Sequence, residues 1–200
     1  NGREMTADDV KYSLDRVTLP ATQSPGSGFF ASIKGYDAMV GGTATSLEGV
    51  VVVDPLTVRI DLSRPDATFL HVMAINFASV VPKEAVEAAG GDFGKMPVGT
   101  GAFKMTEWTL GQRLVFARNP DYWRAGEPYL DQVTFEFGQE PIVALLRLQN
   151  GEIDVAGDGI PPAKFTEVMA DPVQKARVVE GGMLHTGYIT MNVTAPPFDK

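Results

Sequence analysis

Cysteine is absent from this 200-residue chain, and histidine occurs only at His71 and His185. Without a thiol there is no disulfide, no cysteine nucleophile and no cysteine–zinc site. Two histidines far apart in sequence fall short of the several converging His, Cys or carboxylate ligands that first-row metals need. No metal site and no cofactor is therefore expected. Positive charge is also scarce, with 17 Lys and Arg against 25 Asp and Glu and a net charge of -8. Binding to a phosphate backbone needs a basic face, so a nucleic-acid partner is not expected. No apolar run reaches the roughly 18 residues of a membrane-spanning helix. Complete catalytic motifs are missing too. Ser27 lies in Pro25-Gly26-Ser27-Gly28-Phe29, which has neighbouring glycines without the G-x-S-x-G spacing. Gly99-Thr100-Gly101 lacks the third glycine of a dinucleotide loop and leads into a strand pattern instead of a helix N-terminus. Glu152 and Asp154 stand two apart, which does not make an opposed acid/base pair. No catalytic residue is assigned, and binding is the function class that remains.

What is present is ordinary globular composition, 44% hydrophobic and 21% charged, with enough length for one or two domains. Twenty-one glycines and 14 prolines predict many turns between short elements. The most informative stretch is Pro97 to Trp123. Ala102 to Trp108 and Gln112 to Arg118 alternate as two strands around a Leu110-Gly111 turn, and Asn119-Pro120-Asp121 closes the second with turn chemistry. Upstream, Thr6 reads as a helix N-cap with Asp9 as its acidic partner, Val10, Leu14 and Val17 keep helical spacing, and Pro20 marks the end. Val50 to Val53 and Thr57 to Leu62 form a second hairpin around Asp54-Pro55-Leu56. Helices are expected over Ala67–Ile75, Glu84–Ala89, Glu140–Gln149 and Pro161–Met169. In the third of these, Ile142, Leu145, Leu146 and Gln149 form the inner edge and Gly151 the C-cap. Strands are expected over 133–137, Ala176–Glu180 and Leu184–Val193. The fold class is mixed α/β (α+β), with antiparallel hairpins and short covering helices.

Several of these blocks are similar to those of one family. The P-x-G-T-G-x-[FY] lead-in at Pro97, the Glu107-Trp108 pair, the hairpin turn and Arg118-Asn119-Pro120-Asp121-Tyr122-Trp123 resemble the solute-binding proteins of ABC importers, peptide/nickel class. So do Met5-Thr6-Ala7-Asp8-Asp9-Val10, Val80-Val81-Pro82-Lys83-Glu84, Leu148 to Asp154, and Pro196-Pro197-Phe198-Asp199. The resemblance implies a lobe of the periplasmic-binding-protein type II kind. Asn1-Gly2-Arg3 is neither an initiator Met nor a signal peptide, and the last residues run in an extended loop. The chain is accordingly expected to be most of lobe 1 (residues 1–200) of a two-lobed protein, without its second lobe and N-terminal segment. The implied function is to capture a small solute, a short peptide, in the periplasm or outside the cell and hand it to an inner-membrane ABC permease. The protein is expected to be a monomer and not an enzyme. The alternatives are a hydrolase-like enzyme domain and a chemosensory or regulatory use of the same fold.

The candidate ligand-binding residues are Phe29, Phe30, Met191 and Asn192. Two adjacent aromatics after the Ser/Pro/Gly-rich loop 21–28 can be core plugs or a binding wall, and both readings stand. The resemblance places an aromatic here in the ligand cleft. It also runs the strand before Pro196-Pro197-Phe198 along that cleft, with an Asn near its end, where Thr190-Met191-Asn192-Val193 stands. An Asn offers two donors and an acceptor to a peptide backbone; the competing reading is an Asn bonding its own loop. Trp108 and Trp123 are read as packing residues beside the hairpin.

Overall fold

The computed structural model describes residues 2–182 and 187–199, and the chain divides into two units, 1–138 and 139–200. The first unit is built on α1 (Ala7–Thr18). Thr6 caps it in extended conformation, and the Thr6 amide donates to Asp9 Oδ2 at 2.8 Å. Asp9 also receives Arg3 at 2.6 Å, and the same guanidinium reaches Glu84 at 2.8 Å. Arg3 holds both carboxyls below the usual carboxylate range, with the Thr6 amide adding to the effect at Asp9.

The apolar stripe of α1 meets the first core. Leu14 and Val17 pack with Phe30, Ile33, Met39, Leu47, Val50 and Ala78, and Val10 lies half-buried beside them. Each fully buried large side chain there contributes roughly 1.5–3 kcal/mol. The polar side of α1 ties down the segment that feeds the first hairpin. Asp15 Oδ1 accepts the Leu47 amide at 2.6 Å, and Lys11 Nζ donates to the Val50 carbonyl at 2.9 Å. A short helix, α2 (Tyr36–Val40), supplies Met39 to the core. The hairpin itself is β1 (Val50–Asp54) with β2 (Thr57–Ile60), antiparallel, in the register Val50↔Ile60 and Val52↔Val58. At its tip the Pro55 carbonyl accepts the Ala7 amide at 2.8 Å, satisfying one of the orphan donors of α1.

Helices α3 (Phe69–Val72) and α4 (Lys83–Ala89) lead to the second sheet. That sheet is β3 (Phe103–Thr109), β4 (Arg113–Arg118) and β5 (Gln132–Glu136), antiparallel in that order. The expected hairpin forms within a residue of its expected bounds. Gly111 sits at φ +71°, which the tight turn between β3 and β4 requires and glycine adopts without strain. Glu107 and Arg113 pair across it at 2.7 Å. Phe116 packs edge-on against Phe135, with centroids 6.0 Å apart. Asn119 explains the motif that follows. It is buried, its Nδ2 donates to the Gly101 carbonyl at 2.9 Å, and its Oδ1 accepts the Asp121 amide at 3.1 Å. Gly99-Thr100-Gly101 is thus clasped to the end of β4. Gly99 and Thr100 edge a hollow of about 50 Å³ beside Arg3 and Asp9, room for one or two waters and not for a nucleotide.

The second unit holds α5 (Pro141–Gln149), α6 (Phe165–Ala170) and α7 (Pro172–Lys175). Proline opens α5 where its missing N–H costs nothing. Asn150 is the cap residue of α5, and Gly151 follows one place later at φ +74°. Leu145 is the buried side chain of α5, whereas Ile142 and Leu146, expected on the inner edge, are half-exposed. Each residue step turns a helix by about 100°, so a stripe centred one position off uncovers both. Asp171 caps α7 by accepting the Val173 amide at 2.8 Å.

Two expected strands are corrected. Residues 176–180 run from a helical turn into irregular chain, and no strand forms over 187–193. Residues 184–186 of the second lie outside the described residues. Alternating apolar residues make a strand only where a second strand supplies the ladder. None does so here among the described residues, and Val179, Ile189 and Val193 stand exposed.

Candidate functional site

Phe29 and Phe30 sit in a 3₁₀ turn, Ser27–Phe30, that follows the proline- and glycine-rich loop. A 3₁₀ turn has about three residues per revolution, so adjacent side chains diverge by roughly 120°. The two rings separate accordingly. Phe30 is 0% exposed and belongs to the core with Leu14 and Ile33, so of its two open readings it takes the core plug. A solute could not touch it without opening that core. Phe29 is 54% exposed, and its ring stacks on Phe77 with centroids 5.9 Å apart and planes 21° from parallel.

Met191 and Asn192 belong to the second unit, Phe29 and Phe30 to the first. Met191 is half-exposed and Asn192 exposed. Asn192 Oδ1 accepts the Thr194 amide at 3.0 Å and the Thr194 hydroxyl at 2.7 Å, an Asx turn leading into Pro196-Pro197. Its acceptor is therefore spent on the local loop, while its Nδ2 donors make no hydrogen bond among the described residues. None of the four side chains ionises near neutral pH, so what the exposed ones can offer a ligand is apolar contact and the Asn192 amide.

No motif or periodicity marks Phe77 in the sequence. It enters from a short turn, Asn76–Ala78, far along the chain from Phe29. Its one trace is compositional: no Asp, Glu, Lys or Arg occurs from 67 to 82, nor from 17 to 33. The tryptophans are less buried than expected for packing residues. Trp108 borders a shallow groove of about 320 Å³ with Met96, Met105 and Leu110. Trp123 is largely exposed under Arg124, whose guanidinium lies 4.6 Å from the ring centroid. Among the described residues no group of three His, Cys, Asp or Glu side chains could hold a metal, and no helix is long and apolar enough to cross a membrane. His71 is exposed on α3, and His185 lies outside the described residues.

Comparison with known proteins gives a consistent result. The family described as bacterial extracellular solute-binding proteins, family 5 Middle, matches residues 1–200. The periplasmic oligopeptide-binding protein OppA of Salmonella typhimurium is 31% identical over 205 residues, covering 100% of this chain and 37% of that protein. The glutathione-binding protein GsiB of Salmonella paratyphi A is 28% identical, covering 100% and 36%. The solved structure of the Escherichia coli murein tripeptide binding protein MppA superposes with a TM-score of 0.74 at 30% identity, covering 86% of this chain and 34% of that one. The chain thus spans little more than a third of the length of the curated relatives it matches.

Proposed function

The chain belongs to the family 5 bacterial extracellular solute-binding proteins, and from that premise we propose that it is part of a receptor that captures a short peptide and delivers it to an ABC permease. The observation that carries this reading is the match itself. It spans residues 1–200, and the relatives given above are named for oligopeptides, glutathione and a murein tripeptide, all of them peptides. The mixed architecture, with its antiparallel hairpins, is that of the solved peptide-binding proteins.

In this reading residues 1–200 are most of the first lobe of a two-lobed protein. The lobes close on the solute by hinge motion and bury it between them. The receptor is a periplasmic or extracellular monomer that performs no chemistry on what it carries. Taken each by itself, the first unit offers apolar contact at Phe29, and the second offers apolar contact at Met191 and, at Asn192 Nδ2, a donor for a peptide carbonyl. These groups suit an uncharged stretch of peptide better than a sugar, whose many hydroxyls call for more polar partners.

The test is mass spectrometry of the small molecules released by denaturing the intact protein after purification from its own cells. Peptides of two to about five residues are the expected release, sized to a pocket of this class. Recovery of sugars or metal chelates in stoichiometric amount, with no peptide, overturns the reading.

A further inference from the structure

The stacked pair Phe29–Phe77 has features that a chance surface contact lacks. Both rings stay open to solvent, Phe29 at 54% and Phe77 at 39%, although aromatic side chains usually gain most by full burial. Phe77 is also fixed from behind. A Cβ placed on Gly26 would fall inside the Phe77 ring, so the ring lies directly on the Gly26 backbone. Gly26 itself has φ -91°, a conformation open to any residue. Glycine is needed there for space and not for backbone freedom. Phe77 is thus seated on the Gly26 main chain and stacked with Phe29, which holds the pair as a single surface.

The segments that supply the pair, 17–33 and 67–82, contain none of the chain's 42 charged side chains, counting 17 basic and 25 acidic. An uncharged aromatic surface in a strongly acidic chain matches a neutral, apolar group. It offers no ion pair to an anionic or cationic one.

We propose that Phe77 is a specificity-determining residue, forming with Phe29 a platform for an uncharged apolar side chain of the peptide solute, with Gly26 as its positioning residue. This rests on the peptide-receptor reading above. The platform selects for side-chain character at one position of the peptide, while the peptide backbone is held elsewhere.

The test uses the intact protein and calorimetry with two tripeptides, trileucine and trialanine. Removing one face of an aromatic contact is worth roughly three- to tenfold in affinity. Phe77→Ala should weaken trileucine by that factor and trialanine by less than about twofold. Phe77→Trp, which keeps an aromatic face, should retain most of the trileucine affinity. Gly26→Ala should reproduce the Phe77→Ala loss, because alanine suits the backbone there and displaces only the ring. Phe77→Leu repeats the test should Phe77→Ala fold poorly. If the wild type prefers trileucine and Phe77→Ala or Phe77→Leu keeps that preference, the role of Phe77 is overturned while the peptide reading stands. A wild type that binds both tripeptides equally also overturns the platform alone. If the wild type binds neither, the peptide reading fails and the platform with it.

Discussion

Asn192 divides its side chain between two tasks. Its Oδ1 holds the Thr194 turn, and its Nδ2 is left to a partner. The two readings open in the sequence are therefore compatible, and two substitutions separate them. Asn192→Asp keeps an oxygen for the turn and removes the donor. In the intact protein it should weaken peptide binding about tenfold, the size of one neutral hydrogen bond, with the melting temperature nearly unchanged. Asn192→Ala should weaken binding as much and also loosen the loop. Wild-type affinity in Asn192→Asp, by calorimetry, would remove the donor role. Arg3 makes a different residue-scale prediction. It is the largest cause of the lowered Asp9 and Glu84 pKa values. Carboxyls depressed in the folded state add stability above their unfolded values, near 3.9 for Asp and 4.3 for Glu, and lose it as pH falls through the lower folded values. The melting temperature should drop as pH falls below about 5 in wild type, and the drop should be shallower in Arg3→Ala, which starts lower at neutral pH. Equal slopes in thermal melts of the two proteins would show that Arg3 does not set this acid limb.

Elements whose partners are close in sequence were readable, and the β3–β4 hairpin is the clearest case. Its alternation, its Gly111 turn and its Asn119-Pro120 stop are all local signals, and each lands within a residue or so of its expected place. What periodicity could not show is why asparagine stands after Arg118. The answer is a contact to Gly101, 18 residues back, that ties the start of β3 to the end of β4. Asn119→Asp tests it. The change replaces a donor to the Gly101 carbonyl with an oxygen facing that carbonyl, while keeping the acceptor for Asp121. Because the site is buried, the expected cost is about 1–3 kcal/mol in chemical denaturation. A loss below about 0.5 kcal/mol would mean that the clasp is decorative. The strands expected at 176–180 and over 187–193 are absent for the converse reason. Their apolar residues were visible, but a strand is defined by a neighbour, and composition carries no information about which neighbour that is. The candidate site divides the same way. Phe29 and Phe30 stood out as a pair in the sequence. Only the 3₁₀ turn decides that one faces out and the other in, and Phe77 depends on a contact 48 positions away.

At the scale of the whole chain the two units differ in how much core they own. The first encloses Leu14, Phe30, Ile33, Met39, Leu47 and Val50 almost completely. In the second, Leu145 and Val168 are the buried large apolar side chains among the described residues, while Leu146, Val155, Phe165, Val173, Val179 and Ile189 are exposed. A stretch with so little enclosed apolar surface gains little from folding to set against its ordering entropy. That fits the proposal of a larger two-lobed protein, in which further surface would cover these residues and the solute would be enclosed from a second side. Receptor pockets of this kind bury about 70–90% of a ligand's surface, and a single lobe offers one wall of such a pocket. Residues 1–200 alone should therefore bind tripeptides at least about a hundredfold more weakly than the intact protein, a loss of roughly 2.7 kcal/mol. The comparison is made by calorimetry on both proteins with the same peptide, after circular dichroism has established that the shorter chain is folded. Affinities within about threefold of each other would place the whole site on this chain and defeat the two-lobe reading.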